Sequence, residues 1–485
     1  MIKTPEQYKE SLRKMRPNIY KFGELIKDVT IHPATKRCVE SHAKAFEAAQ
    51  DPKYQNLVTA ESKLIGEKVM RYLIVMENAE DLINNCRFKR LMFNLTGTCT
   101  GALCAGAHCL QSMWATTYEI DQSKGTQYHQ RLKKWVEYAQ KNSLTVSGAL
   151  TDPKGDRSLS PSKQSDPDLH LHMVEKREDG IVVRGAKIMI AGVAAANEIF
   201  IMPGTGLREE DKDYAVSFVV PRDVEGLTIV EARHPDDVRE FEEDGYELPA
   251  TKTGITQAWL FFEDVFIPND RVFMCGEWEY AARAISYFTS NYRAAIGGCV
   301  AGQGDVMVGA AILIARANGL SERVFRDKLV KMVVNNETTF GMGVAAATLG
   351  TKHPSGAWIG NMLLSNVNKV HVATLPYETK VLCQDIAGGI GETGCIPSWK
   401  DFKNDRYGKL VEKYLTAASP GEARARVAWL IQWLCAGGGI PGCMHGGGSP
   451  DAAKLMVRVA AKWNEYIEHA CRLAGVKKES FPEKK

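Results

Sequence analysis

The spacing of apolar residues changes twice along this chain, and the two changes restrict the architectures it can adopt. From about Thr4 to Asn142 apolar side chains return at helical intervals. They predict helices over Thr4–Met15, Thr35–Ala49, Thr59–Met76 and Asp81–Met92, then a basic amphipathic run from Ser123, which makes an all-helical first part. Between Leu144 and Asp270 short β-branched and aromatic runs take over, among them Gly180–Gly185, Tyr214–Val220 and Trp259–Phe262, separated by turn formers. After Pro268-Asn269-Asp270 the helical spacing resumes, at about Trp278–Asn318, Ser321–Leu349, Gly360–Leu382, Glu422–Cys435 and Asp451–Leu473. The pattern predicts an α+β protein: an N-terminal helical domain (1–143), a middle β domain (144–271) and a C-terminal helical bundle (272–485). A chain of 485 residues can bury a large core. No repeat or low-complexity linker separates the parts, so a site is expected where they meet.

Charge narrows the partners. Lys and Arg number 61 against 58 Asp and Glu, a net +3 with no long block of one sign, which excludes a nucleic-acid stripe and an acidic tail. Small molecules and further copies of the chain are the expected partners. The first residues, Met1 to Tyr8, lack the basic and apolar regions of an export signal, and Thr4 with Pro5 reads as a helix cap, so a cytoplasmic location is expected. The apolar stretch Ala294–Ala317 is interrupted by Gln303, Asp305 and several glycines, so no membrane span is expected there. Twelve scattered cysteines without a disulfide framework read as free thiols or metal ligands in a reducing compartment.

Several motifs carry chemistry. Ala149-Leu-Thr-Asp-Pro-Lys-Gly-Asp-Arg157 opens the β stretch with a glycine and paired charges, which suits a polar cofactor lying over a loop and equally suits a surface turn. Asp385-Ile-Ala-Gly-Gly389 is a cofactor contact or a helix stop. Met444-His-Gly-Gly-Gly-Ser-Pro450 is a site loop or a tight turn carrying His445 as a polar residue. The helical, β, helical layout, the Thr151–Arg157 loop and Phe262–Asp270 resemble the acyl-CoA dehydrogenase fold, and Thr117–Gln122, Asp211–Phe218, Asp385–Gly389 and Met444–Pro450 narrow the resemblance. Within it they resemble the 4-hydroxybutyryl-CoA dehydratase/vinylacetyl-CoA isomerase family, over nearly the whole chain, and its neighbouring branch of 4-hydroxyphenylacetate 3-monooxygenases. The resemblance implies FAD, held by Thr151, Asp152, Pro153, Lys154, Gly155, Asp156 and Arg157 of one subunit and by Asp385, Gly388 and Gly389 of a neighbour. It therefore also implies a homo-oligomer, normally a tetramer.

In those dehydratases three cysteines and a histidine hold a [4Fe–4S] cluster, and the matching positions here are Cys99, Cys104 and Cys299 with Tyr292 in place of the histidine. The first pair, Cys99-x4-Cys104, is one residue wider than the family spacing. On a regular helix residues five apart point about 140° from each other, so both thiols face one cluster only if a helix starts between them or is distorted. His108, one turn beyond Cys104, is the one nearby substitute for the missing imidazole. Against a cluster stands the ordinary role of free cysteine as a small buried apolar residue.

Other expected site positions are altered too. Gln257 stands for the family's catalytic glutamate, Ile296 and Val300 for polar residues flanking Gly297-Gly298-Cys299, and Gly442 for a glutamate before Met444. An amide cannot act as a carboxylate base. Tyr292, Arg293 and His445 are the polar groups left for an altered site, and Arg90 matches a basic residue of the substrate region. As ordinary packing, Arg90 belongs to a basic helical face and Tyr292 fills space with its hydroxyl satisfied. The implied activity is an FAD-dependent step at Cα–Cβ of an acyl-CoA. The alternatives are a reduced-flavin aromatic hydroxylase and a non-catalytic flavin-binding paralogue.

Overall fold

The computed structural model describes residues 2–233, 237, 250–436 and 444–481. The first helix, α1 (Pro5–Arg13), begins at Thr4 with a reciprocal cap: the Gln7 N–H donates to the Thr4 hydroxyl and the Thr4 N–H donates to the Gln7 side chain. Strands β1 (Ile19–Lys21) and β2 (Glu24–Ile26) follow, then helices α2 (Pro33–Gln50) and α3 (Gln55–Val58). The expected helix over Thr59–Met76 is instead a hairpin of β3 (Thr59–Glu61) and β4 (Lys68–Met70) that ends in a 3-10 turn. Its apolar positions fit a helix, but Gly66 turns the chain at φ +67°, and Arg71 donates to the carbonyls of Asn56, Leu57 and Thr59. Helices α4 (Ala79–Thr96), α5 (Ala105–Lys124) and α6 (Tyr128–Lys141) complete the first part. The basic run expected from Ser123 is thus split at Gly125, φ +68°.

Eight strands among the described residues form the middle. They are β5 (Val146–Ala149), β6 (His172–Lys176), β7 (Gly180–Ala191), β8 (Glu198–Ile201), β9 (Val216–Pro221), β10 (Leu227–Glu231), β11 (Gln257–Pro268) and β12 (Val272–Cys275). One sheet runs β2-β1-β10-β11-β7-β6 and the other β12-β9-β8-β5. Ile19 pairs with Ile229 in parallel, so the first part lends two strands to the middle sheet and is not all-helical. Alternate residues of β11 point inward, and Phe262 meets Phe218 of the other sheet edge-on with ring centroids 6.2 Å apart.

The C-terminal part is helical apart from a short hairpin of Thr351–Lys352 with Trp358–Ile359. It contains α7 (Ala281–Ala317), α8 (Arg326–Thr348), α9 (Met362–Val372), α10 (Leu375–Ala387), α11 (Gly389–Thr393), α12 (Trp399–Phe402), α13 (Gly408–Leu415), α14 (Gly421–Cys435), α15 (Pro450–Ala460) and α16 (Trp463–Ala474). The runs expected over Gly360–Leu382 and Asp451–Leu473 are each two helices, the first broken before Pro376 and the second at Ala461 and Lys462. Helix α7 is long and apolar enough to cross a membrane by length and composition, yet most of its apolar window is buried within the chain, where it forms the spine of the bundle.

Glycines let neighbours press onto that spine. A Cβ on Gly298 would lie 2.1 Å from the carbonyl oxygen of Cys86, and one on Gly302 2.5 Å from that of Arg90, so α4 crosses α7 backbone to backbone. On the other side a Cβ on Gly297 would lie 2.2 Å from the carbonyl oxygen of Thr339 in α8.

Candidate functional site

That crossing sets Cys299 and Tyr292 of α7 against the residues of α4 and the turn after it. Gly97, φ +67°, ends α4, and a 3-10 turn at Gly101–Leu103 leads to Cys104 and the start of α5. Gly101 fixes the turn on the β sheet, since a Cβ there would lie 2.5 Å from the Ala191 carbonyl oxygen. The helix therefore begins after Cys104, and the wide Cys99–Cys104 spacing is taken up by the turn. Cys99, Cys299 and Tyr292 share one apolar cluster with Phe93, Ile296, Val300 and Tyr377.

A residue the sequence reading passed over occupies the middle of this pocket. Lys89 of α4 is 4% exposed. Its ammonium donates to Cys104 Sγ at 2.7 Å, lies 3.0 Å from His108 Nε2 and stands 5.0 Å from the centre of the Tyr292 ring. Burial pulls its pKa down, but the sulfurs of Cys104 and Cys299 outweigh that and hold it above the ordinary lysine range. Burial and the Lys89 charge hold the His108 imidazole well below its usual range, so it is neutral. Burial, then the neighbouring sulfurs, pushes the Cys99 thiol and the Tyr292 phenol well up. Tyr292 stacks on Phe288 and meets His108 edge-on.

One signal could have found Lys89. The buried residues of α4 include Leu82, Asn85, Cys86, Lys89, Met92, Phe93 and Thr96, a stripe at intervals of three and four, with a lysine at its centre. Arg90 is the next residue and faces elsewhere. Its guanidinium forms two-pronged pairs with Asp305 and with Glu337, and it lies over the Phe340 ring. It joins α4, α7 and α8 and is not brought to Tyr292.

Arg293 and the backbone segment that carries His445 lie against Tyr292. Arg293 Nε donates to the Gly447 carbonyl at 3.0 Å, and its NH1 donates to Asn366. Burial draws its pKa down to about 10. Lys369, buried in α9, donates to the carbonyls of Met444 (2.9 Å) and Gly446 (2.6 Å), and the Met444 N–H donates to the Tyr377 hydroxyl. These bonds hold the 444–448 segment over the ring: a Cβ on Gly447 would lie 2.6 Å from Tyr292 Cε1. His445 is exposed on that segment. Gln257 starts β11 half-buried, opposite Ala191, the residue on which the Gly101 turn rests. Gly442 lies outside the described residues.

The Thr151–Arg157 loop follows β5. Lys187, 3% exposed at its side chain, pairs with Asp152 at 2.6 Å and donates to the carbonyls of Leu150 and Met202, which anchors the start of the loop. Pro153 continues it, and Gly155 turns at φ +50° where a Cβ would lie 2.4 Å from Gln164 Oε1. Asp156 accepts from the N–H and hydroxyl of Ser158, and Lys154 and Arg157 stand exposed. Asp385 pairs with Lys328, and Gly388, φ +68°, and Gly389 are exposed with nothing within 4 Å of a built Cβ. Two exposed cations on a rigid turn and an unobstructed glycine pair suit a large anionic cofactor such as FAD. A cleft of about 420 Å³ bordered by Asn56, Lys68, Arg71 and Asn84 lies in the N-terminal part, where Tyr292 and the pocket cysteines do not border it.

Comparison with known proteins places the chain. The family model described as 4-hydroxyphenylacetate 3-hydroxylase N terminal matches residues 4–274, and its C-terminal counterpart matches residues 281–475. The 4-hydroxybutyryl-CoA dehydratase/vinylacetyl-CoA-Delta-isomerase of Clostridium aminobutyricum is 40% identical over 98% of this chain and 100% of its own length. The chain belongs to this dehydratase/isomerase family. The solved oxygen-tolerant archaeal 4-hydroxybutyryl-CoA dehydratase of N. maritimus superposes with a TM-score of 0.94 at 36% identity, covering 100% of this chain and 97% of that one. A solved 4-hydroxyphenylacetate 3-monooxygenase oxygenase component complexed with FAD shares the fold, with a TM-score of 0.82 at 21% identity over 99% of both chains.

Within this dehydratase/isomerase family fold, the residues present do not fit the iron–sulfur cluster that the resemblance implies. Cys104 is engaged by an ammonium, and Tyr292 offers a phenol where an imidazole is needed. Among the described residues no group of three His, Cys, Asp or Glu side chains is placed to hold a metal ion.

Proposed function

We propose that this protein is an FAD-dependent enzyme acting at the Cα–Cβ bond of an acyl-CoA thioester, with chemistry shifted from dehydration towards double-bond migration. The end-to-end likeness to a dehydratase/isomerase, at 40% identity, carries the reading. Migration moves a proton without expelling hydroxide, and so needs less of the site than dehydration does. When bound, FAD would supply redox chemistry for a step at Cα and Cβ. Thr151 to Arg157 of one chain and Asp385, Gly388 and Gly389 of a neighbour are the residues that would hold it, which implies a homo-oligomer; a homotetramer, usual in the family, is the assembly inferred. The free state of the described cysteines supports a reducing, cytoplasmic setting.

The roles of the side chains follow from their surroundings. Arg293 and Lys369 fix the 444–448 segment over Tyr292, so His445 is the imidazole able to take up and return a proton at the edge of the site. Tyr292 keeps its proton and acts as a hydrogen-bond donor. Gln257 orients through its amide and takes no proton. Arg90 holds the helices beneath.

The test is anaerobic incubation of the FAD-loaded protein with vinylacetyl-CoA in deuterated water. The but-2-enoyl isomer carrying deuterium is expected, with little product from 4-hydroxybutyryl-CoA, and His445→Ala should slow isomerisation about 100-fold. The hydroxylase description of the family models favours a second reading. Oxygen-dependent hydroxylation of a phenol by the reduced-flavin protein, with no isomerisation, would replace the first reading by that one.

A further inference from the structure

We propose that the three-cysteine pocket of this chain carries a resident lysine ammonium in place of an iron–sulfur cluster, so that the protein is a cluster-free flavoprotein. The inference stands on the pocket and is independent of the reaction assigned above. Cluster assembly requires the lone pairs of four soft or borderline donors to converge on iron. Here Lys89 Nζ sits 2.7 Å from Cys104 Sγ, in hydrogen-bond contact with a sulfur that iron would have to bind. The same ammonium lies 3.0 Å from His108 Nε2. An ammonium has only protons to offer, so Nε2 is the acceptor and its metal-binding lone pair is taken. His108 Nδ1 then bears the ring proton and is no ligand. It is buried without a hydrogen-bond partner among the described residues. Both candidates for the fourth ligand therefore fail, Tyr292 by chemistry and His108 by occupation.

Lys89 also cannot swing aside as a surface lysine would. It is 4% exposed and lies in the centre of the buried stripe of α4, whose backbone is pressed against α7 at Gly298 and Gly302. With the backbone held there, withdrawing the ammonium means turning its side chain through a closely packed interior. No carboxylate of the described residues pairs with it, so the pocket sulfurs and the π face of Tyr292 are what compensate its charge.

The experiment is metal and sulfide analysis of the full-length protein purified anaerobically, then reconstituted with ferrous iron, sulfide and thiol, alongside its flavin content and the EPR spectrum after reduction. Flavin with iron and sulfide at background, before and after reconstitution, is expected. About four irons and four sulfides per chain in the wild type would overturn the proposal. This measurement needs no variant to fold. A second arm uses the double variant Lys89→Met/Tyr292→His, which removes the ammonium and restores an imidazole. It should take up iron and sulfide under the same reconstitution. A double variant that folds and binds flavin yet takes up neither would overturn the assignment of Lys89 and Tyr292 as the groups that exclude the cluster.

Discussion

Single buried charges set how this protein responds to pH. Glu231, fully buried on β10, accepts from the Thr256 hydroxyl and sits near Lys21, Asp237 and Arg222; burial raises its pKa from 4.5 to about 7. Between those two values the folded chain binds more protons than the unfolded one at this position. Its contribution is therefore fully present below about pH 4.5 and is lost as pH rises through about 7. Buried His42 and His108, whose pKa values are lowered, push the other way, so the Glu231 effect is read as a difference: urea midpoints measured from pH 4.5 to 7.5 should change with a more negative slope in the wild type than in Glu231→Gln. An equal slope in the variant would remove Glu231 as its source. Residue chemistry was only partly legible from sequence. Tyr292 was visible because it stands where the family has its ligand histidine, and Arg293 because it is a polar group left beside it; the structure brings both to the 444–448 segment. Lys89 was hidden, because a lysine beside Arg90 and close to Arg87 reads as part of one charged face. Only the helical phase separates them, by about 100° per residue, into a pocket residue and an inter-helix clasp.

At the level of elements, the site depends on how closely α4 can approach α7. Gly298→Ala would drive a methyl to 2.1 Å from the Cys86 carbonyl oxygen, a backbone atom that cannot rotate away. A loss of about 1–3 kcal/mol in denaturant unfolding is expected, with a change in the environment of Lys89 and Cys299. Gly309→Ala on the same helix is the comparison. That position is exposed with nothing within 4 Å of a built Cβ, so it should be neutral or gain up to about 1 kcal/mol. Equal destabilisation by both would show that helix α7 is generally intolerant and that the crossing is not special. The three-part succession was legible because long helices and alternating strands leave periods that differ. The helix expected at Thr59–Met76 failed because a short hairpin and a helix can share apolar spacing. The deciding contacts, from Arg71 to the carbonyls of Asn56 and Thr59, are made by tertiary closure. Strands β1 and β2 were missed for the same reason: three residues each, they exist because β10 pairs with β1 and β1 in turn pairs with β2.

For the whole molecule, the outer surface is more apolar than a lone chain requires. Helix α16 buries none of its residues, yet Trp463, Tyr466, Ile467 and Leu473 are among the exposed large apolar side chains, together with Leu455 and Val459 of α15. A second copy covering it would account for an amphipathic helix whose apolar side meets no partner among the described residues. The open glycine pair at Gly388 and Gly389 has the same explanation if the flavin of that copy lies over it. These two observations link assembly to cofactor retention. Size measurement by light scattering should give four chains with flavin bound. The double substitution Trp463→Glu/Ile467→Glu, which touches neither the Thr151–Arg157 loop nor the Tyr292 pocket, should yield smaller species. If each flavin is held by two chains, those smaller species should also bind flavin at least tenfold more weakly. Dissociation with unchanged flavin affinity would confine the cofactor to one chain and leave Asp385, Gly388 and Gly389 as an ordinary helix end. Four chains persisting in the variant would mean that the exposed faces of α15 and α16 are not what joins them.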